Sequence, residues 1–226
     1  LRPSRLLLVG DPRQLPSTVL SDQAKACGLD TSLQERLMNH CDADFTVLDI
    51  QYRMHPEIST FPSARFYAEK LCDGDNVFCT NYRKGQLLYD SQPHVFLNVV
   101  GNEKKEPDGS LSNLEEANSV VDLARKITRR DAERLRIITF YAAQVSLIRK
   151  KLDAASLKDV TVSTVDSAQG CEADIVIVSF VRSAAAGFLN DDRRLNVALT
   201  RARYQLICVG NVNRLRSVAR ASTVRA

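Results

Sequence analysis

Apolar positions along this 226-residue chain follow two regimes that meet near residue 112. Upstream they come as short unbroken runs between turn signals. Leu6-Leu7-Leu8-Val9 is apolar at every position, as a strand buried on both faces of a parallel sheet must be. It stops at Gly10-Asp11-Pro12, a turn. Leu33, Leu37 and Met38 predict a helix, and Phe45 to Ile50 a second strand. Residues 72 to 94 are rich in turn formers such as Asp73-Gly74-Asp75-Asn76. A strand is predicted at Val95 to Val100, and the polar Gly101 to Ser112 reads as a surface loop.

Downstream the rhythm is regular. Ser112 and Glu115 form a capping box that opens a helix with Leu114, Ala117, Val121, Ala124 and Ile127 on one face. A strand (Arg136 to Phe140) follows, then a helix turning Val145, Ile148 and Leu152 inward. Strands at Val160 to Val165 and Asp174 to Val181, a helix over about Asp192 to Arg203, and a strand at Gln205 to Gly210 complete the pattern. Strands alternating with helices specify an α/β fold, an open parallel sheet flanked by helices. In such sheets ligands are expected beyond the carboxyl ends of the strands.

Composition narrows this only slightly. With 44% hydrophobic and 26% charged residues the chain has the balance of a water-soluble domain. No apolar run approaches the roughly 20 residues of a membrane-spanning helix, so no membrane partner is expected. There is no signal-peptide pattern and the first residue is Leu1, so the chain is expected to be a piece of a longer polypeptide whose targeting signal would lie elsewhere. The location expected is intracellular, nuclear or cytoplasmic. The six cysteines contain no C-x-x-C pair and the three histidines no H-x₃₋₅-H spacing, which argues against a metal site and for reduced, buried thiols. The net charge of +4 conceals an asymmetry: Arg193 to Ala226 holds eight arginines and no acidic residue, leaving the remainder at −4. A concentrated basic segment favours polyanions, although such runs are often only solvated surface.

Four polar clusters punctuate the scaffold. Gly10-Asp11-Pro12-Arg13-Gln14-Leu15-Pro16 follows the first strand; a glutamine there can donate to a phosphate oxygen or orient water, or the segment is a proline-braced turn. In Gln51-Tyr52-Arg53-Met54-His55-Pro56 the tyrosine can stack on a base while the arginine reaches a phosphate, or the two simply stack on each other. In Ser163-Thr164-Val165-Asp166-Ser167-Ala168-Gln169-Gly170-Cys171-Glu172, small hydroxyl residues and a Gln-Gly turn permit close approach of a sugar-phosphate backbone, or cap an ordinary loop. Finally, Arg193 to Arg203 has Leu195, Ala198, Leu199 and Ala202 on one helical stripe, which would place Arg194 and Arg201 together on one flank. Burying so arginine-rich a helix is costly unless the charges meet anions, and paired guanidinium groups suit a polyphosphate.

In this order the clusters resemble superfamily 1 helicases of the nonsense-mediated-decay and senataxin kind. The resemblance rests on GDPRQLPSTVLS (Gly10 to Ser21), LDIQYRMHPEIS (Leu48 to Ser59), STVDSAQGCE (Ser163 to Glu172) and RRLNVALTRAR (Arg193 to Arg203). Phe61-Pro62-Ser63, Phe66-Tyr67 and Gly187-Phe188-Leu189-Asn190 fit the same pattern. It implies two RecA-like domains with ATP and Mg²⁺ between them: residues 1–50 as the tail of the first, 51–213 as the second, and 214–226 as a basic tail. The first domain would supply the P-loop and the Mg²⁺ ligands, and no G-x-x-x-x-G-K-[ST] occurs here.

By position, the resemblance makes Gln14 a γ-phosphate sensor, sets Arg53 and Arg201 on the γ-phosphate with Arg201 as arginine finger, and stacks Tyr52 on adenine beside Gln51. Gly170 and Glu172 would border the ribose. Thr139, Tyr141, Thr164, Ser167 and Arg182 would line a groove for single-stranded RNA or DNA, bound through its backbone in a salt-dependent manner. Two residues depart from the family pattern: Cys171, where a basic or polar residue is usual, and Phe140, in place of a proline. The function expected is thus the C-terminal half of an ATP-dependent helicase or translocase, inactive by itself. The alternative is a non-catalytic binding module, for nucleic acid or protein, on a helicase scaffold.

Overall fold

The computed structural model describes residues 4–40, 45–79, 88, 92–128, 135–184 and 190–216. Its centre is a sheet of five parallel strands: β3 (His94–Asn98), β6 (Leu135–Thr139), β7 (Thr161–Thr164), β8 (Ala173–Ser179) and β9 (Ala202–Gly210), in the order β3-β9-β8-β6-β7. The open parallel α/β sheet expected from the alternating pattern is therefore present, with strand boundaries within three residues of expectation.

Alternation along each strand sends successive side chains to opposite faces. Ile137, Ile177 and Ile207 pack against α4 (Leu114–Thr128) and α5 (Ala142–Ala154), where Val120, Ala124, Ile148 and Leu152 are buried. Ile138, Val176, Val178 and Cys208 face the other way, against α3 (Pro56–Phe66) and α6 (Asp192–Leu199), where Ile58, Val197 and Ala198 are buried. Each fully buried aliphatic side chain contributes about 1.5–3 kcal/mol, so these two layers hold the domain together.

The first fifty residues differ from expectation. The strand expected at Leu6 to Val9 does not form, and Leu7 is 85% exposed. Of the run Phe45 to Ile50 only Ile50 enters a strand, β1 (Ile50–Gln51), which pairs with β2 (Cys72–Asp73). An all-apolar run becomes a buried strand only with a ladder partner beside it, and no described strand lies next to residues 6–9. The helix at Leu33 is present as α2 (Leu33–His40), joined by a short α1 (Asp22–Ala26) capped by the Ser21 hydroxyl. Helix α3 went unpredicted because Pro62 lies inside it.

Four further expectations are corrected. The loop Gly101 to Ser112 is an antiparallel hairpin, β4 (Glu103–Lys105) with β5 (Leu111–Asn113), turning at Gly109 with φ 82°. The cap of α4 is Asn113, whose Oδ1 accepts from the Glu116 N–H, while Ser112 Oγ instead donates to Glu106. Helix α6 ends at Leu199, not Arg203, because the Thr200 hydroxyl folds back onto the Asn196 carbonyl and Ala202 already pairs with Ala173. Arg194 and Arg201 therefore do not share a helical flank. Of the thiols, Cys208 is buried as expected, but Cys27, Cys72 and Cys79 are exposed.

Candidate nucleotide and nucleic-acid sites

The turn after β1 is built by one amide. Gln51 Nε2 donates to the Met54 carbonyl (2.8 Å) and to Asp73 Oδ1, and its Oε1 accepts from the N–H groups of Arg53 (2.9 Å) and Met54 (2.7 Å). That is the full hydrogen-bonding capacity of a carboxamide. Gln51, expected at the adenine, is thus occupied within the protein and shapes the backbone that presents Arg53. Tyr52 beside it is exposed, its carbonyl held by Asn76 Nδ2 (2.8 Å). Its ring lies on Gly74, where a Cβ would stand 2.4 Å from the ring edge.

Arg53 Nε donates to Glu172 Oε2 (2.7 Å), and its Nη1 to the Thr200 carbonyl (3.2 Å). Arg201 Nη2 donates to the hydroxyl of that same Thr200 (2.7 Å). Two guanidinium groups from segments far apart in sequence are therefore anchored on a single residue. Arg201 is 2% exposed and its Nε–H has no partner. Burial, reinforced by the neighbouring charge of Arg53, pushes its pKa down to about 10. The Arg53 hydrogen bond holds the Glu172 carboxyl below its ordinary value, with Arg203 and Arg201 adding to the effect. Arg203 is itself ion-paired with Asp174 (3.5 Å), so Glu172 facing Arg53 and Arg201 leaves one positive charge in surplus, which is the condition for holding an anion. Gly170, near Glu172 in sequence, takes φ 78°, which a side chain would oppose, although no atom crowds it.

This cluster lies at the amino ends of β8 and β9, since Glu172 and Arg201 immediately precede the paired Ala173 and Ala202. These candidate residues thus lie at the ends of the strands opposite to those where a ligand is expected, because α6 carries the chain back across the sheet before Arg201. Gln14 approaches from the first segment. Its Nε2 donates to Asp11 Oδ2 (2.9 Å), which also accepts from the Tyr67 hydroxyl (2.8 Å).

The residues expected at nucleic acid do collect at the carboxyl edge. Thr139 and Thr164 are register partners ending β6 and β7, and Thr139 also faces Ser179, which ends β8. Thr164 Oγ1 and Ser167 Oγ lie 3.1 Å apart on the exposed side. Thr139 and Tyr141 depart from the expectation of a lined groove, because both are buried, Thr139 completely, with an unpartnered hydroxyl. Arg182 is ion-paired with Glu103 of the hairpin (3.2 Å).

Sequence reading missed the supports of this edge. Glu116 is fully buried, its Oε2 accepting from Ser179 Oγ (2.7 Å) and from the N–H of Val181 (2.9 Å). Val181 has φ 70°, unusual for a β-branched residue, and this bend aims the segment carrying Arg182. Glu103 Oε2 accepts from the N–H groups of Ser183 and Ala184. The signal for Glu116 was available: a carboxylate on the apolar face of an amphipathic helix.

This parallel α/β sheet, with an arginine pair at the amino ends of its strands and hydroxyl-bearing residues at the carboxyl ends, is by homology a helicase-like domain. The chain belongs to the AAA domain family, whose model matches residues 29–213. Over most of its length it is homologous to superfamily 1 helicases of the Sen1, senataxin and nonsense-transcript-regulator group. Helicase sen1 of Schizosaccharomyces pombe is 37% identical over 94% of this chain and 13% of its own length. An ATP-dependent helicase of Methanocaldococcus jannaschii is 37% identical over 94% of this chain and 33% of its own. A Drosophila melanogaster homologue of regulator of nonsense transcripts 1 is 38% identical over 92% and 19%. The chain thus spans a third or less of these relatives. No described helix is long and apolar enough to cross a membrane.

Proposed function

We propose that this chain is the second lobe of an ATP-dependent helicase or translocase acting on single-stranded RNA or DNA, inside the cell. Residues 51–213 form that lobe, 1–50 belong to the first lobe, and 214–226 are a basic tail, of which 217–226 lie outside the described residues. The observation carrying this reading is the anchoring of Arg53 and Arg201 on Thr200, with an unsatisfied, buried Arg201 Nε–H. The donor set fits a phosphate: an orphaned cationic N–H is satisfied by an anionic oxygen, and Tyr52 offers an exposed ring to a base. By the family resemblance the Mg²⁺ ligands belong to the first lobe, ahead of Gln14.

ATP, when bound between the lobes, supplies a transferable phosphoryl group. Arg201 stabilises charge developing on it, Arg53 holds the same end, and Gln14, from the first lobe, senses it and couples hydrolysis to closure of the two lobes. Tyr52 stacks on the base, with Gly170 and Glu172 near the sugar. At the other edge Thr164 and Ser167 meet the nucleic-acid backbone directly. Thr139, Tyr141 and Arg182 join them only after local rearrangement, Arg182 by exchanging Glu103 for a phosphate.

The test is ATP hydrolysis by this chain joined to a P-loop lobe, with and without single-stranded RNA or DNA. The joined protein hydrolyses ATP in a nucleic-acid-dependent manner, and Arg53→Ala and Arg201→Ala both abolish that activity. Retention of wild-type hydrolysis in Arg201→Ala would sink the reading.

A further inference from the structure

The Gln14 loop carries no obvious means of staying near the arginine pair, yet it is held from two sides. Asp11 Oδ2 accepts from both Gln14 Nε2 (2.9 Å) and the Tyr67 hydroxyl (2.8 Å), while Asp11 Oδ1 accepts from the Arg13 N–H (2.9 Å). Asn196, fully buried in α6, spends both amide hydrogens on this assembly: one on the Tyr67 oxygen (2.8 Å), the other on the Arg13 carbonyl (2.9 Å). Tyr67 closes α3, where the two residues after it, Ala68 and Glu69, adopt φ 51° and 61° and turn the chain away sharply. The Tyr67 hydroxyl is therefore fixed between the loop and α6, the helix that ends at Thr200. Burial and the Asp11 carboxylate push its pKa up to about 12, so it remains a donor throughout the neutral range.

We propose that Tyr67 and Asn196 are positioning residues that clasp the Gln14 loop to α6, so that Gln14 and the Arg53–Arg201 pair face one nucleotide in fixed register. The inference rests on the reading of Gln14 and Arg201 given above and adds the device that couples them. Tyr67 touches no reacting atom; it acts through Asp11 and Asn196 and through its own contact with Gln14. Removing its hydroxyl leaves Asp11 with one fewer donor and Asn196 with an unspent N–H, which frees the loop and leaves the ring packing intact.

The experiment uses the chain joined to its P-loop lobe, and Tyr67→Phe as the perturbation. In the nucleotide-free protein, amide hydrogen exchange over residues 10–16 should accelerate about tenfold, while exchange in β6 and β8 stays unchanged. In steady-state hydrolysis, kcat should fall about tenfold with KM for ATP unchanged, because a contact made in the transition state is what has moved. In a Gln14→Ala background Tyr67→Phe should add nothing, since its effect passes through that side chain. Unchanged exchange over 10–16, or an undiminished Tyr67→Phe effect in the Gln14→Ala background, overturns the clasp. It does so without touching the proposed function, provided Arg201→Ala still abolishes hydrolysis. Wild-type hydrolysis in Arg201→Ala overturns both.

Discussion

Glu116 offers a sharp test of the structure, because its environment assigns it an unusual pH dependence. The side chain is fully buried and accepts hydrogen bonds from Ser179 Oγ and the Val181 N–H, with Asn113 Nδ2 at 3.4 Å from its second oxygen. Desolvation outweighs these donors and pushes its pKa from 4.5 up to about 7. The folded state thus keeps a proton that the unfolded state releases between those two values. A raised folded-state pKa contributes stability that is complete below pH 4.5 and is lost as pH rises through about 7. At roughly 1.4 kcal/mol per pH unit the loss amounts to about 3 kcal/mol. Glu116→Gln keeps the shape and removes the titration. Urea unfolding of wild type and Glu116→Gln at closely spaced values from pH 4.5 to 8 should show the wild-type curve falling relative to the variant by about 3 kcal/mol. Parallel profiles, agreeing to about 0.5 kcal/mol across that range, would refute the assignment of a desolvated carboxyl.

Two other sites give independent checks. Gly74→Ala would place a Cβ 2.4 Å from the Tyr52 ring edge. The exposed ring swings aside at little cost to stability, and affinity for a fluorescent ATP analogue in the two-lobed protein should weaken about three- to tenfold, within the range of a lost aromatic contact; unaltered affinity would remove Tyr52 from the base site. Among the described cysteines, exposed Cys27, Cys72 and Cys79 should react readily with a thiol reagent. Cys208, buried and with its pKa pushed up to about 12, should react only on unfolding, as peptide mapping after timed labelling would reveal.

What the sequence disclosed and what it hid have physical causes. The five strands were legible because each is a short apolar run bounded by polar or turn residues, and the helices on one face because their apolar stripes are regular. The strand at Leu6 to Val9 was misread because an apolar run states a need for neighbours without showing whether they are present. Helix α6 was drawn too long because Ala202 continues its stripe by period, whereas the Thr200 hydroxyl ends it by hydrogen bonding. That single turn moves Arg201 off the helix and onto Thr200, beside Arg53. Both arginines stand out in the sequence by their motifs. Their common anchor, the Tyr67–Asn196 contact and the hold of Glu103 on Arg182 do not, because each joins residues more than seventy-five positions apart.

The account depends on Arg201 acting on a phosphoryl group, and single-turnover ATP hydrolysis by the two-lobed protein measures that directly. Loss of an arginine finger lowers the rate by about 10³- to 10⁵-fold in related phosphoryl transfers, and Arg201→Ala should fall in that range. Arg201→Lys should recover only part of the loss, because an ammonium cannot reproduce the guanidinium fork. A rate for Arg201→Ala within about threefold of wild type would contradict the account, since no transition-state contact of consequence could then involve that residue.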